Sequence, residues 1–202
     1  NAGVLNMNAA LGGNVVNNDT GVLNISGDMM LDNLVNNGRL NLLTGAFSIG
    51  DLFENNGSVY NSAVLDINRT IGGAIINNTD ATVNLNGNLT FAGAQNDGVI
   101  NAVDGDILLA GDMSGNGEFR HNANLTVGAA DRTISVDSGF VNNGDVDVVG
   151  DAVFADVTNN GAFSISDGIT TLSNGIGGTG TLTNNSVLNV NADIANAIVN
   201  GG

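Results

Sequence analysis

Apolar side chains recur at every second position in short runs along the whole chain. One set of runs is Leu5/Met7, Leu23/Ile25, Leu40/Leu42, Val83/Leu85, Val146/Val148 and Phe163/Ile165. A second set is Met29/Leu31, Phe47/Ile49, Leu89/Phe91, Ile107/Leu109, Leu125/Val127 and Leu188/Val190. Alternation with period two predicts strands that bury one face. Nowhere does an apolar stripe hold helical spacing for three turns, and Gly or Asn interrupts each attempt, so almost no helix is expected.

The runs belong to a repeat. Residues 34–51 read LVNNGRLNLLTGAFSIGD, and residues 140–156 read FVNNGDVDVVGDAVFAD. An anchor of bulky apolar residues, Asn-Asn and often Gly marks each copy, with Asn18, Asn37, Asn56, Asn78, Asn143 and Asn160 as the second Asn. Copies lie roughly 19–20 residues apart, the period of a solenoid built from single coils. Such a coil cannot bury its apolar face alone, but stacked coils can, with strands pairing in parallel along an axis. The pattern predicts an all-β, right-handed parallel β-helix (β-solenoid) of about ten coils, with Asn/Gly corners. Asn and Gly turn a corner at little conformational cost, and stacked amides bond to one another, so those six asparagines are expected to form one structural corner ladder. A second amide ladder is expected outside, through Asn6, Asn24, Asn41, Asn84 and Asn101, broken into Tyr60, Arg120, Asp147, Ser164 and Thr183. Residues 1–202 read as a single domain, with the longest insertion near 128–139 and Gly-Gly insertions at AALGGNVVNN, RTIGGAIINN and NGIGGTG.

Composition narrows the functions. The chain has 36 asparagines, 30 Gly, no Pro, no Cys and no Lys, and its formal net charge is -16. Four arginines (Arg39, Arg69, Arg120 and Arg132) cannot build a basic face, which argues against nucleic acid and anionic membrane surfaces as partners. No apolar run is long enough to span a bilayer, so no membrane insertion is expected. Without cysteine there is no disulfide framework and no thiolate metal site. The chain opens on Asn1 rather than Met and carries corner-like residues at both ends, which reads as a piece cut from a longer solenoid or a subunit stacking head to tail.

The copies VNNGDVDVVGDAVFAD and VTNNGAFSISDGITTLSNG resemble the repetitive passenger regions of bacterial autotransporters and of filamentous-haemagglutinin-like adhesins. That resemblance implies secretion, display at the bacterial cell surface or beyond it, and adhesive or structural work without catalytic residues or cofactors. A protease module and an outer-membrane barrel are absent from these residues.

Chemistry competes with scaffold at few positions. Polysaccharide-acting β-helices use clustered carboxylates on an outer face. The best cluster here is Asp145, Asp147, Asp151 and Asp156, near Asp131, Arg132 and Asp137. This cluster makes a polysaccharide-acting or glycan-binding β-helix the alternative reading, with a calcium site there as a further candidate. The Gly-Gly-x-Gly-x-Asp calcium repeat is missing, and the threonines form no regular row of the ice-binding kind. His121, the one histidine, falls where the alternation wants an inward apolar residue, and without partners it makes neither a triad nor a zinc site. The expectation is a non-enzymatic extracellular rod, with no metal or cofactor, whose partners are itself or neighbouring coils, and whose contacts include glycan or host surfaces.

Overall fold

The computed structural model describes residues 1–128, 132–136 and 139–201, with the backbone alone at Val136. Among them there is no helix, and every strand pair is parallel. The alternation explains why: inward residues such as Leu23 and Leu40 are fully buried and Val146 is 2% exposed, while their neighbours along each strand face out. An eleven-stranded sheet takes one strand from each coil, from Val4–Met7 to Val187–Val190. The chain is therefore a β-solenoid of eleven coils, one more than the anchors suggest, at about 18 residues per coil. The terminal coils leave inward positions half-covered, as at Leu5, Leu188 and Val190.

Each full coil has three sides. Face 1 is the eleven-stranded sheet, face 2 lies in a ten-stranded sheet, and face 3 includes a seven-stranded sheet from Leu89–Phe91 to Ala197–Asn200. Near the start of the chain, faces 2 and 3 merge. The strands Met29–Asn36 and Ala46–Asn55 each bend from one face to the next, with a register shift between Leu31 and Asn33. The Gly-Gly insertions fall where a coil lacks a full strand. In the fourth coil, face 3 is reduced to a single bridge from Ile71 to Phe91 before Gly72 and Gly73 turn the corner.

The insertion expected near 128–139 is only partly visible. Residues 129–131 and 137–138, and so Asp131, Asp137 and Ser138, lie outside the described residues, while Arg132–Val136 between them is a strand of face 1. The core runs the length of the rod as stacked aliphatic columns. It thickens where all three faces contribute a ring: Phe140 sits 5.4 Å from Phe154 and 6.4 Å from Phe163, and Phe119 stacks 5.4 Å below Phe140.

A longer period overlies the coil. Asn1, Asn61, His121 and Asn184 are equivalent, at intervals of 60, 60 and 63 residues, and so are Asn17, Asn77, Asn142 and Asn200. At about 18 residues per coil, 60 residues make three and a third turns. Equivalent residues therefore move to the next face with every unit. Leu23/Ile25 lie on face 1, Val83/Leu85 on face 2 and Val146/Val148 on face 3, although the sequence reads them as one set.

Candidate functional site

The corner ladder is built one residue earlier than the sequence suggested, and it is not one ladder. The first Asn of each pair is the buried one: Asn17, Asn36, Asn55, Asn77, Asn142 and Asn159 are at most 2% exposed. Alternation carries the signal that identifies them. Val15, Leu34, Phe53, Ile75, Phe140 and Val157 point inward, so the residue two positions later must do so as well. Asn18, Asn37, Asn56, Asn78, Asn143 and Asn160 take the outward parity. They form short exposed ladders between coils: Asn56 Nδ2 donates to Asn37 Oδ1, Asn160 to Asn143 and Asn143 to Asn122, each at 3.0 Å, and Asn78 to Ser62 Oγ at 2.7 Å.

The buried amides form successive short columns. Asn1, Asn17, Asn36 and Asn55 stand at the corner between faces 3 and 1, each Nδ2 donating to the next Oδ1 at 2.7–2.9 Å. The second column, Asn61, Asn77 and Asn96, stands between faces 1 and 2. The third, His121, Asn142 and Asn159, stands between faces 2 and 3. Asn184 and Asn200 return to the first corner. Ladder amides also reach a backbone oxygen in the coil above, as Asn77 does to Val99 O and Asn142 to Ala162 O. Above the top rungs sit Gly73, Gly115 and Gly178, all with positive φ, where a Cβ would run into the rung beneath. Glycine is required there because the backbone takes the room a side chain would need.

The outer amides divide among the faces in the same way. Asn41 donates to Asn24 and Asn24 to Asn6, both at 2.7 Å, on face 1. Asn101 donates to Asn84 at 3.0 Å and Asn84 to Asp66 at 2.7 Å, on face 2. Thr126, Asp147, Ser164 and Thr183 hold the equivalent line on face 3. The expected breaks Tyr60 and Arg120 are the top rungs of the first two strips. Arg39 lies 3.8 Å over the Tyr60 ring and donates through Nε to Asn41 Oδ1, while Arg120 pairs with Glu118 at 2.7 Å, which raises the guanidinium pKa.

The acidic run 145–156 is taken apart by the coil. Asp145 and Asp147 face outward from face 3, beside Asn124, Thr126, Ser164 and Ser166, in an open depression of about 410 Å³. Ser166 donates to Asp147. Asp151 lies round the corner, with Arg132 and Asp112, in a second depression of about 410 Å³ on face 1. Its Oδ1 accepts from the Ile169 amide at 2.7 Å. Asp156 is at the following corner, accepting from Asn174 at 3.0 Å. The four carboxylates therefore do not form one site. Among the described residues no three His, Asp or Glu side chains group so as to hold a metal ion, and no helix is long and apolar enough to cross a membrane. Compared with family models, curated proteins and solved structures, the chain matches none.

Proposed function

We propose that the chain is an extracellular structural or adhesive rod, extended by further coils from a longer chain or a second copy. One observation carries this reading: polar groups suited to chemistry are engaged along the axis. The carboxylates of Asp28, Asp97, Asp104, Asp112 and Asp151 each accept a backbone N–H from a neighbouring coil. A carboxylate that holds a coil in register is ill placed to exchange protons with a substrate. The repeat itself favours extension, because a unit that advances its corner by one face can follow itself indefinitely. The resemblance to autotransporter and filamentous-haemagglutinin-like passenger regions supports a location at the bacterial cell surface. Electron microscopy of the purified chain tests the proposal. Rods in multiples of about 53 Å, eleven coils at ~4.8 Å each, are expected. Short particles that never lengthen with concentration, and fail to bind any surface, would count against it.

The depression holding Asp145 and Asp147 favours a second reading, in which face 3 binds or acts on a polysaccharide. It supplies two outward carboxylates and three hydroxyls within one shallow groove. Glycan-array binding or depolymerising activity that disappears in Asp147→Ala, with the fold intact, would select this reading over a purely structural rod.

A further inference from the structure

His121 stands at the foot of the third ladder, where the equivalent positions of the other ladders carry Asn61 and Asn184. The imidazole is fully buried. Its Nδ1 lies 2.9 Å from Asn142 Oδ1. Asn142 uses its own Nδ2 to donate to Asn159 Oδ1 at 2.7 Å and to Ala162 O at 2.9 Å, so its Oδ1 must be the acceptor. The proton of a neutral His121 therefore sits on Nδ1 and Nε2 is bare. That Nε2 is buried without a hydrogen-bond partner. Directly beneath is Ala102, which has no polar side chain to offer.

We propose that His121 makes the joint between the seventh and eighth coils acid-sensitive, because protonating the bare Nε2 places a positive charge inside a corner closed to water. Asparagine carries no such liability, since its amide is neutral at every pH. The charges around the ring are few. Asp145 lies on the strand of the coil above, Asp104 and Asp106 at the same corner one coil below, and the Glu118–Arg120 pair on the ring's own strand. Asp106 is already engaged by Asn124 Nδ2 at 2.9 Å, and Asp104 by the Gly87 amide at 2.6 Å. Burial pushes His121 below the ordinary histidine range. The bond to Asn142, the Asp145 charge and the Asn124 backbone oppose burial without overcoming it.

The sign follows from linkage. The unfolded chain binds a proton near the ordinary pKa of about 6.5, and the folded chain resists it. The contribution is complete above that value and is lost as pH falls below it. Because the chain has one histidine, no other imidazole titrates in this window.

Urea titrations at pH 7.0 and 5.0 test the proposal. The folded-to-unfolded ratio of the parent should fall from pH 7.0 to pH 5.0 by up to about twenty-five-fold, the limit for a histidine neutral in the fold and ordinary outside it. His121→Asn should lose that pH dependence, and His121→Gln serves if the first variant folds poorly. Hydrogen exchange, corrected for intrinsic rates, should open first around 119–121 and 140–142. An equal loss in the variants, or a single imidazole NMR resonance titrating at or above about 6.5 in the folded chain, would overturn it.

Discussion

Replacing Asn77 by alanine separates a buried ladder from an exposed one. Asn77 is fully buried, accepts from Asn61 at 2.8 Å, and donates to Asn96 Oδ1 at 2.7 Å and to the Ala81 and Val99 carbonyls at 3.3 and 3.2 Å. Alanine leaves Asn96 Oδ1 without its donor and one N–H of Asn61 without its acceptor, in a corner closed to water. Each orphaned buried group costs about 1–3 kcal/mol, so the substitution should cost about 2–6 kcal/mol. Asn24 is the control. It also sits mid-ladder, between Asn6 and Asn41, but on the outer face where water replaces its partners, and Asn24→Ala should cost about 0.5–1 kcal/mol. Urea unfolding gives the comparison. Because a long repeat array can unfold in parts, hydrogen exchange across 74–102 should accompany it. Equal losses from the two substitutions would refute the argument that burial gives the inner columns their weight.

Other consequences test the coil geometry. Gly57→Ala should destabilise by more than about 2 kcal/mol, because its Cβ would collide with the Gly38 carbonyl oxygen in the coil below. Gly87→Ala, with positive φ but open space around it, should cost less. Phe140→Ala removes the ring shared by three faces and should cost about 3–5 kcal/mol, read from the thermal or urea midpoint. Asp151→Ala removes an acceptor for the Ile169 amide, and faster exchange at that amide without loss of the rod is the expected outcome.

The strands were legible because alternation depends only on neighbouring residues. Leu23, Phe47, Leu89 and Phe163 all point inward, as their spacing requires. The corners were legible only as turns. Asn-Asn-Gly announces that the chain bends, but nothing local says which side of the coil it bends on. Asn55 and Asn61, only six residues apart, belong to different corners. The acidic cluster dissolved for the same reason, since Asp147 and Asp151 are close in sequence but separated by a corner that carries the chain from face 3 to face 1. Choosing the inner Asn of each pair needed only the parity of the preceding apolar residue.

Why the ladder changes corner is a question of where its last donor goes. The column amides donate toward the higher coil, from Asn17 to Asn36 and from Asn142 to Asn159, whereas outer ones such as Asn24 and Asn101 donate toward the lower coil. An inner column that simply stopped would strand a buried N–H. Each column instead closes on backbone: Asn55 on Gly72 O at 2.9 Å, Asn96 on Glu118 O at 2.9 Å and Asn159 on Thr181 O at 3.1 Å. Glycine then lets the backbone fill the place where the next rung would stand, and the following Asn starts a new column one face on. No column depends on the one after it. Each side-chain column therefore ends within about one 60-residue unit, and parallel backbone pairing together with apolar stacking joins unit to unit. A rod made this way gains length without accumulating unpaired polar groups, and its corners are shared among three sides rather than lined along one.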